Sequence, residues 1–228
     1  GELTRLVRGH RVADTPAGLE GAQGAAKVAE AVVAAGKYIH ASQAKSGRFR
    51  YKLNPYTGEK DDRGFNLPRQ AGTTFALCEH TSQHKRARTA VDRSLRLMAR
   101  HAGRHGERTF LTKRKKDKRA SLGDTALPLI AFAACREIAG PRHDLLIGDM
   151  ARALLSLQDE RGVFAIRFDR EGERAIEGPE PLFAEGQAIF ALSSLERLVA
   201  EGKGPPSWQR AAALHHADRL ARTPASSR

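Results

Sequence analysis

The segment GRFRYKLNPYTGEKDDRGFNLPRQ at 47–70 holds the densest group of side chains that could bind a ligand or do chemistry. If residues 47–53 are extended, alternate side chains point to opposite faces. One face then carries three cations about 7 Å apart, which are Arg48, Arg50 and Lys52. The opposite face carries Phe49, Tyr51 and Leu53 and is apolar. This spacing matches a repeating anion such as a uronate or phosphate chain. Solvated charges on an edge strand are the plainer alternative.

Two acidic residues in the same segment, Asp61 and Asp62, could supply the acid and base that glycoside hydrolysis requires. Glu185 lies in the corresponding part of a later repeat and could contact substrate. Carboxylates are also common in turns and at helix N-termini, where the helix dipole favours negative charge. Asp124 is explained in this second way, because Ser121 three residues earlier predicts a capping box.

The start of the next predicted helix adds polar side chains for ligand contacts, namely Asn66, Arg69 and Gln70. Tyr51 adds a ring on which a sugar could stack. The same polar groups could instead satisfy the free N–H groups of the first helical turn. Both interpretations stay open from the residues alone.

A run of six cations in seven residues, KRKKDKR at 113–119, indicates contact with nucleic acid or an acidic glycan. A solvated loop is the alternative. No aromatic residues alternate with these cations, and the chain has no recognition-helix, RNA-binding or zinc-finger signature. The pattern therefore argues against base-specific recognition of nucleic acid.

The composition is that of a basic globular protein. The 228 residues are 40% apolar and carry a formal net charge of +13, which favours polyanionic partners. We expect a flexible segment at 1–18, a single domain over 19–222 and a frayed tail at 223–228. No apolar stretch is long enough to cross a bilayer, so no membrane span is predicted. Composition leaves the cellular compartment open.

The two cysteines, Cys78 and Cys135, both lie inside apolar helical patterns. Neither has the Cys or His spacing of a zinc site. We therefore predict two thiols packed in the core, with no disulfide, no metal and no cofactor.

Helical periodicity predicts helices over 19–43, 67–80, 84–102, 122–139, 143–158 and 181–201, with a last one from Pro206. The helix after Ser121 is apolar almost all round and must be covered on every side, whereas its neighbours each keep a polar face. Inner and outer helices therefore alternate, and the predicted fold class is all-α.

The helical layout repeats along the chain. Residues 43–77 match residues 158–192 at a constant offset of 115, with seven identities in 35 positions. The identities include the Gly-x-Phe pairs Gly47 with Phe49 and Gly162 with Phe164. ERTF at 107–110, followed by SLGDTALPL at 121–129, looks like a third copy, which makes the unit about 57 residues long. Such a period predicts stacked units that share one core.

Several of these segments resemble the repeats of the α/α-toroid superfamily: QAKSGRFRY (43–51), QDERGVF (158–164), AGTTFAL (71–77), LGDTALPLIAF (122–132) and EGQAIFAL (185–192). Members of that superfamily, among them six-hairpin glycosidases and uronyl epimerases, arrange helical hairpins around a central cavity. The resemblance covers 28–200 and implies an α/α-toroid, here an incomplete ring, with short β-like Gly-x-Phe segments. It also implies a ligand cavity where the loops enter the inner helices, near 48–69, 112–124 and 165–187.

The chain lacks the acidic DxDD run of protonating terpene cyclases and the zinc ligands of lanthionine cyclases. The resemblance and the charge together imply a domain that binds an anionic oligosaccharide or a similar polyanion, and that acts on it as a hydrolase, lyase or epimerase. The alternative is a noncatalytic module that contacts a partner domain of a longer chain and nucleic acid or another polyanion. In the first case Asp61 or Asp62 is catalytic, and the substrate contacts come from Arg48, Arg50, Tyr51, Lys52, Asn66, Arg69, Gln70 and Glu185.

Overall fold

A computed structural model of the chain describes residues 21–81, 85–114, 116–178, 183–205 and 207–208. The predicted terminal segments at 1–18 and 223–228, and almost all of the helix predicted from Pro206, lie outside these residues. The described helices are α1 (Gly21–Ala41), α2 (Leu67–Thr81), α3 (Lys85–Ala99), α4 (Leu122–Ala134), the short α5 (Arg136–Ala139), α6 (Asp144–Leu155) and α7 (Ala184–Ala200). The described strands are β1 (Lys52–Leu53), β2 (Lys60–Asp61), β3 (Ala102–His105), β4 (Arg108–Leu111), β5 (Arg119–Ser121), β6 (Arg167–Asp169) and β7 (Arg174–Ile176).

The prediction of an all-α toroid is wrong, because within the described ranges seven strands form three small antiparallel sheets. β1 pairs with β2, β3 pairs with β4, and β6 lies between β5 and β7. The fold is mixed α/β. The physical reason is that the long connections between helices must pair their backbone N–H and C=O groups, and they do so as hairpins. The clearest sequence signal of a hairpin is the two-residue turn Gly106–Glu107, in which Gly106 has a φ of 59°. Helical periodicity does not detect such a turn.

Helix α4 lies at the centre of the structure, between α2 and α7. Nine of its 13 residues are buried, as its apolar composition predicts. Its cap is also as predicted, because the Ser121 hydroxyl accepts a hydrogen bond of 3.2 Å from the Asp124 N–H. In the described part of the chain, no helix is long and apolar enough to span a membrane.

The three inner helices α2, α4 and α7 run parallel. At their starts, Gly123 of α4 lies against Ala184 and Gln187 of α7. At their ends, Cys78 of α2 meets Cys135, which directly follows α4. The parallel arrangement brings all three helix N-termini, and the hairpins that precede them, to one end of the molecule.

Three units with the same order of elements follow one another along the chain. Each contains an outer helix, a β-hairpin or pair of extended segments, and an inner helix, over about 21–81, 85–134 and 144–200. The outer helix α3 packs on α2, and α6 packs on α4 and β4. The buried residues of all three units form one core, which extends from Phe49 to Trp208.

The Gly-x-Phe turn is the same structure in the first and third units, which confirms the predicted repeat. Gly47 and Gly162 have φ values of 91° and 86°, a conformation that favours glycine. A glutamine faces the phenylalanine across each turn through an isolated β-bridge, Gln43 with Phe49 and Gln158 with Phe164. The two phenylalanine side chains are both buried in the core.

A polar side chain from the inner helix anchors each of these turns. Buried Gln70 accepts a hydrogen bond from the Phe49 N–H at 3.2 Å and donates to the Gly47 carbonyl at 2.8 Å and the Ser94 hydroxyl at 2.7 Å. Glu185, 115 residues after Gln70, accepts a hydrogen bond of 3.3 Å from the Phe164 N–H. The repeat therefore extends to the contact between turn and helix.

The prediction of two separate thiols is wrong, because Cys78 and Cys135 form a disulfide with their Cα atoms 5.3 Å apart. The two residues are 57 positions apart, which is the length of one repeat. They therefore occupy matching levels of adjacent parallel helices. Neither cysteine shows this in its local sequence, because their approach depends on how the units stack.

We predict that Gln70→Ala lowers the free energy of unfolding by about 1–3 kcal/mol, because it leaves the buried Phe49 N–H without a partner, while the Ser94 hydroxyl keeps its bond to Thr74. The matched variant Glu185→Gln keeps an acceptor oxygen and should cost less than about 1 kcal/mol. Urea unfolding followed by circular dichroism measures both. An equal cost for the two variants would contradict the proposed anchoring role of Gln70.

We also predict that reduction of the disulfide lowers the free energy of unfolding by about 2–4 kcal/mol, because the bond closes a long loop in the unfolded chain. The measurement is urea unfolding with and without a reducing agent. The reducing agent should have no effect on the double variant Cys78→Ala, Cys135→Ala. Two reactive thiols in the denatured, unreduced protein would show that the bond is absent.

Candidate functional site

The predicted binding segment forms the β1–β2 hairpin and the loop that leads into α2. Lys52 pairs with Asp61 across the hairpin. Asp61 then turns the chain by accepting the N–H groups of Arg63 at 2.9 Å and Gly64 at 3.0 Å. Gly64 lies directly against the Tyr51 ring, where any side chain would collide with it.

The expected row of cations on one strand face is absent, because only Lys52 and Leu53 of residues 47–53 are in a strand. Phe49 is buried as predicted, but Leu53 on the supposed packing face is 39% exposed. Arg50 turns away to an ion pair with Asp62, with 3.1 Å between Nε and Oδ1. Lys52 in turn lies over the ring of Tyr51, which the alternation placed on the opposite face.

The two carboxylates predicted as catalytic have structural partners. Hydrogen bonds from the Gly64 and Arg63 N–H groups lower the pKa of Asp61, so this residue stays ionised and serves the turn. Asp62 is 61% exposed and neutralises Arg50. A general acid needs a raised pKa in a water-limited cavity, whereas the pKa of Asp61 is lowered and Asp62 is exposed to water.

Three of the predicted substrate contacts also bind the protein's own backbone. Asn66 caps α2, because its side-chain oxygen accepts the Arg69 N–H at 2.9 Å. Gln70 and Glu185 hold the two Gly-x-Phe turns. Each of these three side chains therefore forms a hydrogen bond that stabilises the protein's own backbone.

The remaining predicted residues come together around two aromatic rings. The Arg69 guanidinium carbon lies 4.9 Å from the centroid of the Tyr51 ring, and the Lys52 ammonium nitrogen lies 5.4 Å from it. The Arg48 guanidinium carbon lies 5.1 Å from the centroid of Phe65, the residue after Gly64. We call these five residues, Arg48, Tyr51, Lys52, Phe65 and Arg69, the cation platform.

The cations of the platform form no close ion pair within the described ranges, although the charge of Lys52 acts on the facing Asp61 carboxylate and contributes to its lowered pKa. Among the described residues, none of Arg48, Lys52 and Arg69 forms an ion pair with a carboxylate. The positive end of the α2 dipole lies beside Arg69 and adds to the potential. A guanidinium held over a ring keeps its in-plane N–H donors available for an anion.

The basic run at 113–119 begins beside the platform. The Phe65 ring stacks on His101 with 4.9 Å between the centroids, and the His101 Nδ1 is 3.0 Å from the Thr112 carbonyl oxygen. Thr112 directly precedes the run. Within the run, Lys118 pairs with Glu171 at 3.1 Å. Both basic segments thus lie at the end of the molecule where the inner helices begin.

Asp124, at the start of α4, has a property that its capping role did not suggest. Burial raises the pKa of its carboxyl group, and the nearby charge of Asp117 acts in the same direction. The pKa values of Asp61, Glu137, Asp159 and Asp169 are shifted the other way, to lower values. The capping pattern accounts for the backbone N–H of Asp124. It does not predict that the side chain is buried.

An apolar groove of about 350 Å³ lies between α2 and α7, with α4 as its floor. Phe75 and Phe190 meet edge to face there, with 6.4 Å between their centroids. Phe190 is 51% exposed. The groove was missed because these phenylalanines lie on helix faces that the apolar pattern assigned to the core.

No cluster of three or more His, Cys, Asp or Glu side chains within the described ranges could hold a metal ion. Among known proteins, no family model and no curated sequence matches the chain. A functional interpretation therefore depends on the chemistry of the chain's own residues. The cation platform is the best-defined candidate site among them.

Proposed function

We propose that this domain binds an anionic oligosaccharide at the cation platform. The observation that carries the proposal is that Arg48, Lys52 and Arg69 lie over aromatic rings and, among the described residues, have no carboxylate within ion-pair distance. Cations in this state can exchange water for the carboxylate or sulfate groups of a ligand without first breaking an internal ion pair.

The platform is preorganised for such a ligand. Contact with Gly64 limits the movement of the Tyr51 ring, and the ring in turn supports Arg69 and Lys52. Side chains that are already restrained lose less conformational entropy when a ligand binds. A planar guanidinium can also accept a carboxylate through two parallel hydrogen bonds.

A polymer fits this end of the molecule better than a single anion. The platform and the 113–119 run are joined through the Phe65, His101 and Thr112 contacts. Together they present several separated cations on one end of a protein with a net charge of +13. Such a surface favours a ligand that carries several negative charges.

An oligosaccharide is favoured over single-stranded nucleic acid because the platform offers little open aromatic surface. Gly64, Arg69 and Lys52 all lie close to the Tyr51 ring. Binding of single strands depends on stacking between bases and free aromatic faces.

We propose binding rather than catalytic turnover. The two candidate catalytic carboxylates have structural partners, because Asp61 is held by a turn and Asp62 by an ion pair.

We predict that the double variant Lys52→Gln, Arg69→Gln weakens binding of a uronate hexasaccharide by about tenfold or more, because charge-assisted hydrogen bonds are lost. Isothermal titration calorimetry at fixed ionic strength measures the dissociation constant. The matched control is Lys27→Gln, Lys37→Gln, which removes the same charge from two exposed positions of α1.

Equal weakening in both double variants would mean that only net charge matters, and the platform would then have no specific role. Tighter binding to a DNA duplex of equal charge than to the hexasaccharide would replace the proposal with the alternative of a nucleic-acid module. Unchanged hexasaccharide binding in the Lys52→Gln, Arg69→Gln variant would also rule the platform out.

A further inference from the structure

An open cleft of about 490 Å³ lies where the β3–β4 turn meets the end of α6, outside the cation platform. His105 and Arg108 line it from the hairpin, and Arg152 and Leu155 line it from the helix. Its volume is typical of a site for a small molecule. None of the contacts described for the platform uses these residues.

Arg108 is held in the cleft by aromatic rings rather than by an acid. Its guanidinium carbon lies 5.0 Å from the centroid of Phe168, and Phe168 stacks on Phe110 at 4.3 Å. Both rings are buried. Within the described ranges Arg108 forms no ion pair. Its in-plane N–H donors are therefore positioned and available to an anion.

His105 is fixed in one neutral form. The Arg170 Nε–H donates to His105 Nε2 at 2.9 Å, so Nε2 carries the lone pair and the ring proton is on Nδ1. Burial lowers the pKa of His105, and the charges of Arg170 and Arg108 lower it further, while Glu173 opposes them. The imidazole therefore adds a neutral N–H donor to the lining of the cleft.

Arg152 positions the turn without adding net charge. Its Nε donates to the Glu107 carbonyl oxygen at 2.9 Å, and its Nη2 pairs with buried Asp149. The Glu107 side chain is exposed. Glu107 also lines the cleft, but water screens its exposed carboxylate, whereas the Arg108 guanidinium is held against a buried ring. The cation fixed in the cleft is thus Arg108, which suits a negatively charged ligand group.

We propose that this cleft binds a small organic carboxylate, with the carboxylate on the Arg108 guanidinium and the carbon portion against Leu155. Guanidinium and carboxylate are both planar and form two parallel hydrogen bonds. His105 donates a third from Nδ1. The assignment does not depend on the oligosaccharide proposal, because it uses a different hairpin and different cations.

The test uses benzoate as the carboxylate probe, titrated into the ¹⁵N-labelled full chain and followed by NMR. We expect saturable binding with amide shifts confined to residues near 105–108 and 152–158, and no saturable binding of neutral benzamide. Arg108→Gln should weaken benzoate binding by about tenfold, in line with the loss of a charge-assisted bidentate contact.

The matched control is Arg104→Gln, because Arg104 is an exposed cation on the same hairpin that bonds to the Gly106 carbonyl and does not line the cleft. It should leave benzoate binding unchanged, as should Lys52→Gln, Arg69→Gln. Arg108→Lys keeps the charge and should still weaken binding, because an ammonium cannot form the planar pair. Thermal unfolding shows that each variant is folded.

Three results would overturn the proposal. These are absence of saturable benzoate shifts in the native chain, equal weakening by Arg104→Gln, and tighter binding of inorganic phosphate than of benzoate. The last would mean that the cleft selects a dianion rather than a carboxylate. The two proposals can fail separately. A protein that binds the hexasaccharide but not benzoate contradicts only the cleft proposal, and one that binds benzoate but not the hexasaccharide contradicts only the platform proposal.

Discussion

The structure depends on the burial of α4, a helix with almost no polar face. Nine of its 13 residues are inaccessible to water, and each would lose favourable burial if a neighbouring helix were removed. The helix therefore needs α2 on one side, α7 on the other, and α6 and β4 behind it. The Cys78–Cys135 disulfide adds a covalent link between α2 and the end of α4. Enclosure of one apolar helix thus sets the order of the elements around it.

The parallel direction of the inner helices has an electrostatic consequence. Every inner helix begins at the same end of the molecule, so the hairpins that precede them are collected there as well. These hairpins and loops are rich in arginine and lysine, and the positive ends of three helix dipoles lie behind them. Several cations of a chain with a net charge of +13 are in this way brought together at one end. The cation platform is the part of that end in which aromatic rings hold the charges in place.

The candidate residues divide according to how deeply they lie in the fold. The side chains of Gln70 and Glu185 accept hydrogen bonds from the backbone of the Gly-x-Phe turns. Arg48, Lys52 and Arg69 lie over aromatic rings and, among the described residues, form no ion pair. Whether each one serves the protein or a ligand depends on its hydrogen-bond partners, and those partners come from elements distant in sequence.

The sequence by itself determined the inner and outer helices, the cap at Ser121 and the repeat at an offset of 115, because periodicity, capping and turn glycines are local properties of the chain. Helical periodicity did not reveal the β-hairpins, since two- to four-residue strands pair in response to backbone hydrogen bonding, and only turn residues such as Gly106 signal them in the sequence. The disulfide, the ion pair of Arg50 and the burial of Asp124 were decided only in the tertiary structure. The disulfide arises from the stacking of two units, and the Arg50 ion pair from the pairing of β1 with β2.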